Sequence, residues 1–251
     1  MSDDGDRPMA GEMIQIAAKD GKSFAAYLSK PPRSGTANGS TRREGQAPGI
    51  VMCQEMLGVT PWLKSMADRI AAEGYLVLCP DIFWRFHPGF VGEHANKDDY
   101  EKAWSYLRNL DYDLAVQDVS DCADKLKAMP DCNGKIGIVG FCMGGTIAYL
   151  AAARLPVDAA VSYYGTGVHN YVNEGGKITC PLTLHMGDKD HTLKPEDVHE
   201  IYAGLIGIPH ISVWRYDTGH AFANSDVPSL YSKEHAEKAH ERTLALFGRL
   251  K

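Results

Sequence analysis

The sequence predicts an α/β fold: a mostly parallel central sheet with helices on both faces. Three observations predict it. Short apolar runs rich in β-branched residues recur along the 251 residues. Helical patterns separate them. One strand runs through a glycine-bounded turn, Gly140-Phe141-Cys142-Met143-Gly144-Gly145, directly into a helix former-rich segment.

Taken in order, residues 1–11 are polar with little to bury and are expected to form a disordered lead-in, leaving 12–251 as one domain. Met13–Ala17 and Phe24–Leu28 read as strands around the turn pair Asp20-Gly21. Pro31 to Pro48 holds Gly, Ser, Thr, Asn and Arg and almost nothing apolar, so it reads as a surface loop. Strands then follow at Ile50–Cys53, Tyr75–Cys79, Ile136–Val139, Ala159–Tyr163, Leu182–His185 and Ile211–Trp214. Helical patterns fall at 61–73, 98–108, 112–129, 143–154, 195–206 and 234–249. In such sheets the chemistry sits at the carboxyl ends of the strands.

Composition narrows the function classes. A net charge of −6 argues against a nucleic-acid surface or an anionic membrane as partner. No apolar run approaches the ~18 residues needed to span a bilayer, and no secretory signal is expected at the acidic start. The six cysteines show no C-x-x-C spacing, and the histidines no H-E-x-x-H pairing, so no metal or other cofactor is expected. Scattered reduced thiols suit a cytoplasmic protein. Nothing in the sequence separates a monomer from a homodimer.

The turn at Gly140–Gly145 carries the chemistry. It is the G-x-S-x-G nucleophile elbow of α/β-hydrolases written with cysteine at its centre. Side chains at positions 140 and 144 are expected to clash in so tight a turn. A small buried thiol in an ordinary strand-to-helix turn is the competing explanation. Four more polar residues follow predicted strand ends: Glu55, Arg85, Asp190 and His220. The order nucleophile, acid, histidine is the one α/β-hydrolases use. Asp188 competes with Asp190 for the acid, and His191 with His220 for the base. Asp190 could instead cap the following helix, a job for which Thr192 is better placed. Elbow geometry also nominates the backbone N–H groups of Met56 and Met143 as an oxyanion hole.

With Gln54-Glu55-Met56-Leu57-Gly58-Val59, Pro80-Asp81-Ile82-Phe83-Trp84-Arg85, the cysteine elbow, Tyr163-Tyr164-Gly165, Gly187-Asp188-Lys189-Asp190-His191 and Gly219-His220-Ala221-Phe222-Ala223, the chain resembles the dienelactone hydrolases (carboxymethylenebutenolidases) from about Glu12 to its end. The resemblance implies an α/β-hydrolase fold and a Cys142–His220–Asp190 triad acting on a small-molecule lactone or ester. Its register favours Asp190 over Asp188. It also implies that Glu55 holds the resting thiol and helps generate the thiolate, that Arg85 binds a substrate carboxylate, and that Tyr164 contacts substrate. Well-known members carry a second arginine four residues after the catalytic histidine, where this chain has Asn224; an amide there offers hydrogen bonds without charge. The loop at 31–47 and the segment Phe86–Lys97 are expected to reshape the mouth. The other functions open to such a site are a non-catalytic binder of small acids, a cysteine peptidase and a redox sensor at Cys142.

Overall fold

A computed structural model describes residues 11–32 and 46–251. Eight strands form one sheet: β1 (Glu12–Ala17), β2 (Ser23–Ser29), β3 (Ala47–Cys53), β4 (Leu76–Pro80), β5 (Cys132–Phe141), β6 (Ala159–Tyr163), β7 (Leu182–Gly187) and β8 (Ile211–Tyr216). Their order across the sheet is β1-β2-β4-β3-β5-β6-β7-β8. β2 pairs antiparallel with β1 and β4, and every other pairing is parallel. The architecture is the α/β-hydrolase fold expected from the sequence.

Among the described residues five α-helices lie between these strands and a sixth follows the last: α1 (Pro61–Ala72), α2 (Lys97–Arg108), α3 (Tyr112–Lys127), α4 (Met143–Arg154), α5 (Pro195–Leu205) and α6 (Lys233–Phe247). Several begin on a side-chain oxygen that accepts an otherwise unpaired N–H of the first turn. Thr60 accepts from Leu63 N at 3.3 Å, Asn96 from Asp98 N at 3.0 Å and Asp111 from Asp113 N at 2.8 Å. Because successive side chains of a strand point to opposite faces, the sheet feeds two cores. Val51, Cys53, Leu76, Leu78, Ile136 and Ile138 pack on the side of α3, α4 and α5, while Ile50, Met52, Val77, Cys79 and Phe141 pack on the side of α1 and α6.

Most of the lead-in, residues 1–10, and most of the predicted surface loop, residues 33–45, lie outside the described residues. The far end of that loop needs a correction. Ala47 and Pro48 already belong to β3, because Ala47 N donates to Asp131 O at 2.7 Å and Ala47 pairs with Cys132 across a register shift. The same pairing starts β5 four residues before the apolar run that signalled it. The sequence also predicts no element at Val168–Lys177, a 3₁₀ segment. Tertiary contacts hold it: Arg154 bonds both oxygens of Glu174 at 3.0 and 2.6 Å, and Gly167 N donates to Thr146 Oγ1 at 2.9 Å.

A buried polar chain ties α6 to the sheet beneath the site. Arg242 donates to Tyr216 Oη at 2.8 Å, and Tyr216 Oη lies 2.8 Å from His185 Nδ1. His185 Nε2 meets Thr243 Oγ1 at 3.3 Å, Tyr163 Oη meets the same oxygen at 2.7 Å, and Thr243 donates to Ala239 O at 2.9 Å. With Arg242 and Thr243 fixing both ends, Tyr216 donates to Nδ1 and the neutral imidazole donates through Nε2. Burial, aided by the Arg242 charge, holds the His185 pKa down to about 3. The unfolded chain therefore takes up this proton first as pH falls from about 6.5, and the fold weakens across that window. Thr243→Val removes the oxygen that two buried groups share, and should cost about 2 kcal/mol in urea denaturation. Thr243→Ser should recover most of it; a wild-type midpoint in the valine variant contradicts the assignment.

Candidate active site

β5 lies at the centre of the sheet, and the chain leaves β3 and β5 for opposite flanks: β3 leads to β4, β5 to β6. Between their carboxyl ends lies the switch point where open α/β sheets place their ligands. Cys142 stands there, first residue after β5 and N-cap of α4, with φ 56° and ψ −122°. A side chain in this region costs on the order of 1–3 kcal/mol unless its surroundings impose it. Here they do. Cys142 N donates to Tyr163 O at 3.1 Å, and Cys142 O accepts from Gly145 N at 2.9 Å. A Cβ on Gly140 would lie 1.8 Å from Gly144 O, and one on Gly144 would lie 2.5 Å from Cys53 O. Both glycines are therefore obligatory, as the sequence suggested. Among the described residues the other non-glycine residues with positive φ are Tyr164 (38°) and Ala221 (53°). All three lie around His220: the Cys142 charge acts on its ring, the Tyr164 ring lies 5.0 Å away and Ala221 is the next residue.

His220 follows β8, and Asp190 follows β7. His220 Nδ1 lies 2.8 Å from Asp190 Oδ2, with both side chains buried. An ionised carboxylate only accepts, so Nδ1 carries the proton toward Asp190 and Nε2 is left for a second partner. Burial disfavours charge on the imidazole, but the Cys142 charge and the bond to Asp190 outweigh it and raise the pKa to about 10. Burial also works against the Asp190 charge; bonds from His220 and Thr192 still hold this carboxyl below its usual range.

The competing assignments have other partners. Asp188 pairs with Arg215 Nε at 2.6 Å on the surface. His191 is exposed, its ring 6.0 Å from that of His220. Thr192 caps no helix: its N and Oγ1 both donate to Asp190 Oδ1, at 2.8 and 2.6 Å. The N-cap of α5 is Lys194.

Glu55 lies in the turn after β3, almost fully buried. Gly58 (φ 89°) closes this turn and lies so near Phe90 O that a Cβ would meet it at 2.0 Å. The segment expected at the mouth is anchored here, with Gly58 bridged to Val91 and Gly92 N donating to Leu57 O at 2.9 Å. Glu55 Oε2 accepts from Asn224 Nδ2 at 2.6 Å. Glu55 Oε1 and Tyr164 Oη have no hydrogen-bond partner, although each is buried and each perturbs the other. The Tyr164 ring lies 5.0 Å from that of His220. Burial raises the Glu55 pKa despite the nearby His220 charge and the Asn224 bond.

The N–H groups of Met56 and Met143 donate to no acceptor among the described residues. Arg85 is engaged elsewhere. Its Nη1 and Nη2 bond Asp118 at 2.5 and 2.9 Å, and its guanidinium stacks 4.2 Å from the centre of the Trp84 ring. Two tyrosines that sequence reasoning missed stand near the sulfur instead. Tyr100 on α2 has its pKa raised by burial and by the Glu55 and Cys142 charges, and its hydroxyl lies 3.1 Å from His94 Nδ1. Burial and the Cys142 charge push Tyr112, at the start of α3, up to about 12. No local pattern marks either residue, since their position depends on how α2 and α3 fold over the sheet.

Comparison with known proteins finds relatives over nearly the whole chain. The model of the dienelactone hydrolase family matches residues 35–251. Carboxymethylenebutenolidase 1 of Cupriavidus pinatubonensis is 32% identical over 244 residues, covering 97% of this chain and 99% of that protein. The carboxymethylenebutenolidase of Pseudomonas putida is 31% identical over 237 residues, covering 94% and 95%. A crystal structure of a dienelactone hydrolase-like chain from Klebsiella pneumoniae has the same fold, with a TM-score of 0.80 at 24% identity over 95% of this chain and 98% of that one.

The raised His220 value has a direct consequence. Its imidazolium contributes stability in full below about 6.5, and that contribution is lost as pH rises through about 10. NMR titration should find His220 protonated throughout neutral pH. Asp190→Asn should lower its midpoint by at least one unit, and an unchanged midpoint would show that Asp190 does not hold the ring.

Proposed function

The chain belongs to the dienelactone hydrolase family, and from that premise we propose that it cleaves lactones or activated carboxylic esters through a Cys142 thiolate. The observation that carries the proposal is a grouping past the carboxyl ends of β5, β8 and β7: a sulfur at an elbow, an imidazole on which that sulfur's charge acts, and a carboxylate 2.8 Å behind the imidazole. The thiolate is the nucleophilic form of cysteine. The amino terminus of α4 favours an anion there, and His220, held by Asp190, supplies the counter-charge.

The steps follow from this arrangement. The sulfur attacks the carbonyl carbon, and the carbonyl π electrons move to oxygen. The N–H groups of Met56 and Met143 receive that oxyanion; one such donor is worth about 10²–10³ in turnover in related chemistry. The tetrahedral adduct collapses, the carbon–oxygen bond of the ester breaks, and the departing alkoxide or enolate takes the proton from His220 Nε2. In a lactone this group stays attached to the acyl chain, so the ring opens while the thioester forms. His220, now neutral, removes a proton from water. The hydroxide attacks the thioester, the carbon–sulfur bond breaks, and acid and thiolate are released.

Glu55 and Tyr164 complete the floor. Glu55 Oε1 and Tyr164 Oη, buried and without partners at rest, are the polar groups available to the resting thiol or to an entering substrate. In this reading Glu55 assists formation of the thiolate. A thioester route suits substrates with good leaving groups, enol lactones and aryl esters, over peptides.

Cys142→Ala should lower hydrolysis of p-nitrophenyl acetate by at least about 10³-fold while circular dichroism and melting stay those of the wild type. Mass spectrometry of quenched wild-type reactions should find the acyl group on the peptide carrying Cys142. Turnover that survives in the alanine variant ends the proposal.

A further inference from the structure

Resting on the hydrolase reading above, we infer that the site selects uncharged lactones and esters over those bearing a carboxylate, because among the described residues it presents polar groups without charge and one acidic rim residue where an anion would need a free cation.

Arg85 is committed to Asp118, whose side chain is fully buried and also accepts from Trp84 Nε1 at 3.0 Å. Turning the guanidinium toward an incoming carboxylate would strand that aspartate without its counter-ion, the costly way to break a buried pair. Position 224 holds an amide with both ends occupied: Nδ2 donates to Glu55, and Oδ1 accepts from Asp226 N at 2.9 Å. Tyr100, which faces Glu55 and Cys142 from α2, is a phenol already bonded to His94.

The remaining charges oppose an anion. Asp226 is exposed at the rim, and its charge acts on both Glu55 and His94. The imidazolium of His220 is paired with Asp190 at 2.8 Å. Burial lowers the His94 pKa and so works against a cation there, while Glu55 is a carboxyl and offers no positive charge whether or not it carries its proton. A carboxylate entering here would lose water without gaining a counter-ion.

The same groups suit a neutral ester. Tyr164 Oη–H, buried and without a partner, presents an uncharged donor to a carbonyl or ring oxygen.

Two matched pairs test this: an exocyclic-methylene butenolide against the same ring carrying a carboxylate on that methylene, and p-nitrophenyl acetate against the p-nitrophenyl monoester of succinic acid. The neutral member of each pair should have a kcat/KM at least about tenfold higher. That ratio should narrow as salt screens the rim, and again in Asp226→Asn. Tyr100→Arg, which places a cation opposite Glu55, should move it toward the carboxylated members; the Asp226 variant serves should the arginine disturb folding. Equal or faster turnover of the carboxylated members overturns the inference and leaves the hydrolase reading standing. Failure to turn over any member, with no acyl group on Cys142, overturns both.

Discussion

The site depends on a backbone contact: β5 must turn into α4 with Cys142 held at φ 56°. The turn closes only because the backbones of residues 140 and 144 touch where side chains would stand, and because residue 144 lies against the carbonyl of Cys53 on the neighbouring strand. The strain is confined to one residue, and its result is a sulfur raised above the end of the central strand at a helix amino terminus. Tyr164 and Ala221, at the ends of neighbouring connections, carry the same kind of strain. The sheet beneath is regular, and its packing holds these three residues in conformations they would not choose alone.

Around that sulfur the electrostatics are arranged in layers. Asp190 fixes the proton on Nδ1 of His220, and Thr192 fixes Asp190 through two hydrogen bonds. On the opposite side Glu55 is anchored by an amide instead of a cation, so burial decides its charge state. Deeper still, the chain from Arg242 to Thr243 locks the neutral tautomer of His185 beneath the strand ends. The two histidines thus have opposite tendencies: His220 keeps its proton because Asp190 and the Cys142 charge outweigh its burial, and His185 refuses one because it is buried near the Arg242 cation.

Much of this was legible in the sequence, and the limits of legibility are physical. Each predicted strand and α-helix is present because its apolar period matches its environment, and the elbow was legible because its glycines have a steric reason. Cys142, Asp190, His220, Glu55 and Tyr164 do converge, since each lies just past a strand end. Arg85 also lies past a strand end, yet its partner is thirty-three residues away on α3, and position along the chain says nothing about a pairing made through packing. Tyr100 and Tyr112 stayed hidden for the same reason. The 3₁₀ segment and the first residues of β3 and β5 owe their form to neighbours brought in by the fold, so no local composition marks them.

Met56 and Met143 belong to different connections, one after β3 and the other after β5, and the spacing between their amides is inherited from the pairing of Cys53 with Gly140. A slip of one residue between those strands would displace one amide by about 3.3 Å, more than the length of a hydrogen bond. The hydrogen-bond ladder thus works as a ruler, graduated in whole residues, for two groups that share no covalent path shorter than some eighty residues. Loops on this scaffold are free to vary in length and composition so long as they leave that ruler untouched.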